Sequence, residues 1–302
     1  QGGANNRIYR MECNDRNFLL KIYFRHPSDP RDRLKTEFLF LKFLWSSGIR
    51  EVPEPIGCDS ENGMAIYEWI EGKRLKPGQV SETHVNCAID FFIKINENRG
   101  YAKDIPPGSE ACFSLLEHTN TIDKRVKRLM DIEENTKINK EAKALVETRL
   151  RPLWDQIKER IFDITHSKHM EIERELDPED RCLSPSDFGL HNVIVTSDGI
   201  LKFIDFEYAG WDDPAKMVCD FFCQPEIPVP FVYFSMFIDK ISKVSQDKDN
   251  LYNRINILYP AYQIKWCCIV LNEFLPLDRK RRKFSYSFSD LEQRKAIQLK
   301  KA

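Results

Sequence analysis

The chain has 302 residues, a net charge of −1 and nine cysteines that lack the paired spacing of a zinc site. The length allows one large domain or two small ones, and the near-neutral charge argues against nucleic-acid binding. Because no signal peptide and no apolar run of about 18 residues is visible, we expect a cytoplasmic protein with reduced thiols and no integral membrane segment.

The N-terminal segment predicts a tight turn followed by a hairpin. Gly2 and Gly3 would let backbone N–H groups approach a phosphate closely, although an ordinary turn uses the same residues. Residues 7–13 and 17–24 alternate between apolar and polar side chains and are rich in Ile, Tyr and Phe. This pattern is typical of two antiparallel strands joined by a short turn.

Lys21, in the second of these strands, and Glu37 are predicted to form an ion pair. Residues 31–46 carry a helical stripe of apolar side chains, and Glu37 falls on the same side as that stripe. A buried carboxylate needs a partner, and kinase-like folds use a Lys–Glu pair to position phosphates. By its position alone, Lys21 would equally fit a solvent-exposed strand lysine.

The rest of the chain predicts a mainly helical region behind a small sheet. Residues 66–70 read as a strand that ends at a joint at Gly72. The helices predicted beyond it cover residues 81–99, 110–130, 136–165, 229–244 and 249–275, with another beginning at Pro214 after the N-cap Asp213. We expect an α+β fold with a sheet lobe at residues 1–72 and a helical lobe at residues 73–302.

Asp187, Asn192 and Asp205 have the spacing of a phosphoryl-transfer site. Asn192 follows Asp187 by five positions and Asp205 follows it by eighteen. Kinases use an acid to orient the nucleophilic hydroxyl, and an Asn and a second Asp to hold Mg²⁺ on the phosphates. A hairpin over residues 191–204 would bring Asn192 near Asp205. Two turn-capping aspartates and a hairpin asparagine would have the same spacing.

The tripeptide Asp187-Phe188-Gly189 matches the metal-binding Asp-Phe-Gly motif of protein kinases in sequence, but not in its position along the chain. The metal-binding Asp should end a strand downstream of the catalytic loop, which describes Asp205. A protein kinase would also carry an Ala-Pro-Glu-like activation segment after this point, and none follows Asp205.

Several segments together carry a family resemblance. They are Gly2–Arg10, Phe18–Tyr23, Val52–Gly57, Ile66–Gly72 and Ile204–Gly210, within matching regions at residues 2–72 and 183–222. With these segments the chain resembles the aminoglycoside phosphotransferase and choline kinase superfamily, whose members have a two-lobed, protein-kinase-like fold.

The resemblance implies Mg²⁺-dependent transfer of the γ-phosphoryl group of ATP to a hydroxyl of a small-molecule acceptor. An amino-alcohol, an aminoglycoside or a sugar would fit as acceptor, and GTP is the alternative nucleotide. Asp187 would be the catalytic residue, and Asn192 and Asp205 would be the metal ligands. The nucleotide-binding residues would be Gly2, Gly3, Lys21, Glu37 and the backbone of Glu68 and Ile70. Asp220 would brace the catalytic loop.

One departure keeps a second interpretation open. The family's catalytic loop usually carries a His two residues before the catalytic Asp, and this chain has Pro185 there. A nucleotide-binding pseudokinase is therefore the alternative. The candidates for an acceptor pocket are Trp211, Tyr208, Trp266, Tyr262, Glu207, Asp212, Glu226 and Glu273, although Trp266 also reads as part of a core helix. The basic run at residues 279–283 fits an exposed turn or a contact with an anionic partner.

Overall fold

The computed structural model describes residues 6–26, 29, 31–275 and 291–302. The predictions for Gly2 and Gly3 and for the basic run at residues 279–283 lie outside the described residues.

The N-terminal lobe is a four-stranded antiparallel sheet with one helix. The strands are β1 (Asn6–Cys13), β2 (Arg16–Tyr23), β3 (Pro55–Asp59) and β4 (Met64–Glu68), in the spatial order β1-β2-β4-β3. Asn14 and Asp15 join β1 to β2 with positive φ angles of 46° and 58°. Such a two-residue turn matches the twist of the flanking strands, so the predicted hairpin forms as expected.

Helix α1 (Arg33–Ser46) packs its apolar stripe against this sheet. It begins at the N-cap Asp32, whose side chain accepts a hydrogen bond from the backbone N–H of Lys35. Leu41 of the stripe is fully buried, and Glu37 on the same side is 3% exposed. The helix therefore carries one carboxylate into the interior of the lobe.

The C-terminal lobe is mainly helical, which confirms the predicted fold class. Its helices are α2 (Glu82–Glu97), α3 (Leu115–Leu129), α4 (Lys137–Leu145), α5 (Arg151–Ser167), α6 (Pro214–Cys223), α7 (Phe234–Ile241), α8 (Lys248–Leu271) and α9 (Leu291–Lys301). Helix α8 is central and contacts α3, α5, α6 and α9. Among the described residues, no helix has the length and apolar character needed to cross a membrane.

The single long helix predicted over residues 136–165 is interrupted. A π-helical turn, Val146–Leu150, separates α4 from α5, and Pro152 lies in the first turn of α5. Proline has no N–H to donate to the preceding turn and its ring crowds the carbonyl four residues back, so the helix changes register there. Helix α2 likewise ends before Gly100, which lies in a short 3₁₀ turn, and Asn98 forms its C-cap.

Short strands in the C-terminal lobe frame two loops. β6 (Cys182–Ser184) pairs with β9 (Gly210–Asp212), and β7 (Val193–Val195) pairs with β8 (Leu201–Phe203) and with β5 (Lys73–Arg74). The predicted hairpin is therefore present but shorter, because residues 190–192 form a 3₁₀ turn instead of extending β7.

Candidate active site

The loop between β6 and β7 and the loop between β8 and β9 meet at a narrow cleft. Since β6 pairs with β9 and β7 pairs with β8, the two loops emerge at the same place. Asp187 and Asn192 of the first loop and Asp205 of the second line this cleft, with Pro185 and Phe206 among its other walls. The structure thus brings together the three residues whose spacing suggested a phosphoryl-transfer site.

Asp187 is held by two nearby side chains. His191 Nε2 lies 3.3 Å from Asp187 Oδ1, and Asn192 Nδ2 donates to Asp187 Oδ2 at 3.3 Å and to the Asp187 backbone carbonyl at 3.0 Å. Burial would raise the pKa of Asp187, but the charge and hydrogen bond of His191 and the hydrogen bond of Asn192 lower it below its usual value. Asp187 is therefore ionised near neutral pH and able to accept a proton.

Asn192 connects this loop to Asp205. Its backbone carbonyl accepts a hydrogen bond of 3.0 Å from the N–H of Ile204, the residue before Asp205. Because the amide nitrogen of Asn192 is used on Asp187, the amide oxygen is the atom suited to a metal ion.

Two non-glycine residues of these two loops have left-handed backbone conformations. Ser186 has a φ of 67° and Asp205 a φ of 71°. Such conformations cost about 1–3 kcal/mol each and cluster at functional sites, where the surrounding structure enforces them. Ser186 N–H donates to Ser184 Oγ at 3.0 Å, which helps to fix the turn just before Asp187.

Phenylalanines anchor both loops from behind. Phe188 follows Asp187 and Phe206 follows Asp205, and both rings are buried. The ring of Phe91 on α2 contacts both, with centroid distances of 6.2 Å and 6.3 Å. One aromatic cluster therefore fixes the relative positions of the two acids.

Lys21 bridges the two lobes at the cleft. Its Nζ donates to Glu37 Oε2 at 2.7 Å and to Asp205 Oδ1 at 2.6 Å. Burial would lower the pKa of Lys21, but the charges of Asp205 and Glu37 outweigh it and raise the pKa well above its usual value. The expected contact between Lys21 and Glu37 is present, and Lys21 carries a fixed positive charge beside Asp205.

Glu37 is the central acceptor of a buried network. It also accepts hydrogen bonds from Tyr23 Oη at 2.6 Å and from the backbone N–H of Phe206 at 3.3 Å. Burial raises the pKa of Glu37 in spite of Lys21. Through Phe206, helix α1 of the sheet lobe is tied to the loop that carries Asp205.

Glu207 is a buried acid of this site whose position the sequence did not reveal. The sequence suggested it for an acceptor pocket. In the structure it is 1% exposed and accepts a hydrogen bond from Asn6 Nδ2. Within the described ranges, the one group of three or more acids whose oxygens lie close enough to share a metal ion consists of Glu37, Asp205 and Glu207, within 4.8 Å of one another. The sequence gives one signal for Glu207, which is its position two residues after Asp205.

The donor chemistry of the cleft fits Mg²⁺. The side chains concerned offer carboxylate and amide oxygens, which this ion prefers over nitrogen and sulfur ligands. Asn192 and Asp205 lie on one cleft, and Glu207 stands beside Asp205.

Glu68 and Ile70 lie at the end of the sheet lobe. Glu68 is the last residue of β4, and Ile70 lies in the irregular segment after it. The N–H of Glu68 donates to the carbonyl of Glu54 at 2.9 Å. The N–H of Glu68 is therefore already used within the sheet lobe.

A buried asparagine supports β6, the strand that leads into the loop with Asp187. Asn96 of α2 accepts from the N–H of Leu183 at 2.8 Å and donates to its carbonyl at 3.1 Å. Leu183 is the middle residue of β6, four positions before Asp187. A polar residue beside the apolar stripe of α2 was the available signal for this contact.

Several acceptor-pocket candidates are core residues instead. Tyr262 Oη lies 2.7 Å from His118 Nδ1, and Asp212 accepts a hydrogen bond from Lys216. Both Tyr262 and Asp212 are buried, and Glu273 is 1% exposed. These side chains are therefore part of the packed interior, where Tyr262 joins α8 to α3 and Asp212 joins β9 to α6.

Helix α8 holds Asp220. Lys265 Nζ donates to both carboxylate oxygens at 2.8 Å, and Trp266 Nε1 donates to Oδ1 at 2.8 Å. The hydrogen bonds described for the Asp220 carboxylate therefore come from α8 and not from the loop that carries Asp187, contrary to expectation. Among the candidate acids, Glu226 differs, because its side chain is 51% exposed and pairs with Lys301.

Two aromatic candidates lie near the loop after Asp205. Tyr208 Oη accepts from Arg33 Nε at 3.5 Å, with the guanidinium 5.7 Å from the Tyr208 ring centroid. Trp211 is half-buried in β9. Tyr208 therefore already holds a cation of the chain itself.

Comparisons with known proteins identify the family and agree with the fold. The model of the phosphotransferase enzyme family matches residues 1–223. Among solved structures, a choline kinase from Cryptosporidium parvum Iowa II is 15% identical, with 99% of this chain and 86% of that chain covered and a TM-score of 0.57. The choline kinase LicA from Streptococcus pneumoniae is 18% identical, with 100% and 91% covered and a TM-score of 0.57.

A spectinomycin phosphotransferase solved with ADP and spectinomycin is 12% identical, with 100% of this chain and 92% of that chain covered and a TM-score of 0.62. At these identities the likeness shows the fold. No curated protein matches the chain by sequence. Because the family match covers well over half of the chain, the chain belongs to the phosphotransferase enzyme family.

Proposed function

We propose that this phosphotransferase transfers the γ-phosphoryl group of ATP to a hydroxyl of a small-molecule acceptor and requires Mg²⁺. The observation that carries the proposal is the convergence of Asp187, Asn192 and Asp205 on one cleft, with Lys21 bound to Asp205. These are the groups that position a hydroxyl and neutralise phosphate charge in kinases.

Asp187 is the proposed catalytic residue. Its lowered pKa keeps it ionised, and its side chain is 34% exposed, so it can be reached by an acceptor hydroxyl. Asp187 orients that hydroxyl and accepts its proton as the new O–P bond forms. The gain in rate comes mainly from positioning and from charge neutralisation, because the protein forms no covalent bond to the phosphoryl group.

Lys21 and the Mg²⁺ ligands Asn192 and Asp205 are proposed to neutralise the negative charge of the phosphates. Asn192 and Asp205 would hold Mg²⁺, which when bound neutralises phosphate charge. Lys21 is kept protonated by Asp205 and Glu37 and is aimed at the same place. Glu37 fixes Lys21 while remaining buried, so the ammonium group does not need to be ordered when nucleotide binds.

ATP is the proposed nucleotide, with GTP as the alternative. The proposed contacts to the base come from the backbone of Glu68 and Ile70, and backbone groups can pair with either purine. Gly2 and Gly3 are proposed to contact the phosphates.

The acceptor is proposed to be an amino-alcohol, an aminoglycoside or a sugar. The solved structures named above include choline kinases and a spectinomycin phosphotransferase, which supports this range. In this chain the exposed acid Glu226 is the proposed contact for a cationic acceptor. A coupled ADP assay over these three acceptor classes identifies the substrate.

Thermal unfolding with and without ATP and Mg²⁺ tests the nucleotide site first. Ligand at about 100 times its Kd adds about 2.7 kcal/mol. With an unfolding entropy of about 2.1 cal/mol/K per residue over 302 residues, this raises Tm by about 4 °C. We expect Asp205→Asn to lose the Mg²⁺-dependent part of the shift. Asp198→Asn, in the exposed turn between β7 and β8, is the matched control and should keep it.

A shift without turnover on any hydroxyl acceptor would favour the pseudokinase, for which Pro185 is the supporting feature. No shift with either ATP or GTP would refute the proposed nucleotide site.

A further inference from the structure

We propose that His191 is a positioning residue for Asp187, supplying from within the catalytic loop an imidazole contact to the carboxylate that accepts the hydroxyl proton. The proposal rests on the proposed function, because it gives His191 a role only if Asp187 acts on an acceptor. The side chain of Pro185, where the family usually has a His, carries no hydrogen-bonding group.

The contacts of Asp187 suggest this role. His191 Nε2 reaches Oδ1 and Asn192 Nδ2 reaches Oδ2, both at 3.3 Å. Two consecutive residues therefore hold the two oxygens of one carboxylate. The distances are long for hydrogen bonds to a charged group, as contacts between catalytic groups often are before substrate binds.

The loop is shaped to admit the imidazole ring. A Cβ atom on Gly189 would lie 2.6 Å from His191 Nδ1, 2.8 Å from His191 Cε1 and 3.2 Å from Gln224 Cγ. Gly189 has extended backbone, so glycine is not needed there for its conformational freedom. Instead, the missing side chain at position 189 leaves the space that the His191 ring occupies.

The environment of the ring indicates which nitrogen donates. The His191 side chain is 15% exposed, and its Nδ1 is buried with no hydrogen-bond partner among the described residues. Nε2 faces a carboxylate, which only accepts hydrogen bonds. Nε2 therefore carries a proton whether the ring is neutral or charged, and His191 keeps this proton throughout the reaction.

The transfer step itself stays with Asp187. The acceptor oxygen forms a bond to the γ-phosphorus while the bond from that phosphorus to the oxygen of ADP breaks. The hydroxyl proton passes to the Asp187 carboxylate and then to solvent. His191 limits rotation of that carboxylate, and misplacement of a catalytic group by about 1 Å can cost about 100-fold in rate.

Two substitutions of His191 separate its hydrogen bond from its bulk. His191→Leu keeps an apolar side chain of similar size and has no donor, and we expect its kcat to fall about 100-fold with the KM for ATP unchanged. His191→Gln retains an amide donor and should keep kcat within about tenfold of the wild type. Both variants should unfold at the wild-type temperature. His166→Leu, exposed on α5, is the control and should leave kcat unchanged.

Gly189→Ala provides an independent route to the same defect. The added methyl group displaces the His191 ring, so kcat should fall as in His191→Leu. The double variant should then be no slower than His191→Leu alone, because both changes remove one contact. Gly100→Ala is the matched control, since a Cβ there meets no atom within 4 Å.

A wild-type kcat in His191→Leu would overturn the positioning role, and so would an equal loss of kcat in His191→Gln and His191→Leu. In either case, phosphoryl transfer by the wild-type protein would still uphold the proposed function. Nitrogen NMR of ¹⁵N-histidine-labelled protein gives a readout that needs no turnover. At a pH where the His191 ring is neutral, we expect its Nε2–H tautomer. The ¹⁵N resonance of Nε2 should shift in Asp187→Asn. An Nδ1–H tautomer would refute the contact. A wild-type protein inactive on every acceptor would refute the proposed function itself.

Discussion

Replacing Lys21 with methionine should destabilise the protein, because it leaves the Glu37 carboxylate buried without its cation. The side chains of Lys21 and Glu37 are 5% and 4% exposed, and 2.7 Å separates Nζ from Oε2. Removing one partner of a buried ion pair costs about 3–5 kcal/mol. We expect the lower end, about 3 kcal/mol, because Tyr23 and the N–H of Phe206 still donate to Glu37. The third member, Asp205, is 31% exposed and can be solvated.

This free energy corresponds to a measurable change in Tm. An unfolding entropy of about 2.1 cal/mol/K per residue over 302 residues converts about 3 kcal/mol into a fall of about 5 °C. Circular dichroism melts of the wild type, Lys21→Met, Glu37→Gln and the double variant provide the measurement. The double variant should be more stable than Lys21→Met, because it removes the uncompensated charge as well. Lys35→Met, on the exposed face of α1, is the control.

The loss should depend on pH with a definite sign. Burial raises the pKa of Glu37 in the folded protein, and loss of Lys21 raises it further. An acid with a raised folded pKa gives up stability as the pH rises through that pKa. The penalty of Lys21→Met should therefore become smaller as the pH is lowered, because protonation of Glu37 relieves the buried charge. A Tm within about 1 °C of the wild type at pH 8, or a larger penalty at pH 5, would refute this reasoning.

Three further predictions concern catalysis, the core and a buried charge. Asp187→Asn should retain ATP binding by calorimetry and lose about 10²–10⁴-fold in kcat, whereas full activity would contradict the catalytic role. Phe91→Ala should cost about 3–5 kcal/mol in urea unfolding, because the Phe91 ring stacks on Phe203 at 4.2 Å; a loss under about 1 kcal/mol would contradict this. Asp213→Asn should cost about 3–5 kcal/mol at pH 7 by leaving Arg254 buried without its carboxylate. Burial would raise the pKa of Asp213, but Arg254 outweighs it and lowers the pKa, so the penalty should shrink in acid, and a constant penalty down to pH 3 would contradict this.

Local sequence patterns predicted the elements of the fold well where the apolar residues follow one clear period. The alternation in residues 7–13 and 17–24 predicted the first hairpin, because strand side chains repeat every two residues. The stripe around Glu37 predicted both the helix and the burial of the carboxylate. The long helix over residues 136–165 was wrong in detail, because one proline changes hydrogen-bond register without changing the apolar stripe.

The spacing of Asp187, Asn192 and Asp205 is a property of the sequence itself. Their arrangement depends on a short hairpin and two turns set by residues close in the chain. It also depends on Phe91 of α2, whose ring contacts Phe188 and Phe206. The contact between Lys21 and Glu37 was also accessible from the sequence, because a strand and the helix that follows it pack against each other and the buried acid needs a cationic partner.

Only the tertiary structure decided where the other acids lie. Glu207 accepts a hydrogen bond from Asn6, which lies 201 positions earlier in the chain. Asp220 accepts from Lys265 of α8, 45 positions later in the chain. The sequence pattern of an acidic side chain near an aromatic residue is the same whether that side chain lines a pocket or joins two helices. Its partner is chosen by how distant helices and strands pack, and that packing depends on the whole buried surface rather than on the neighbours in the chain.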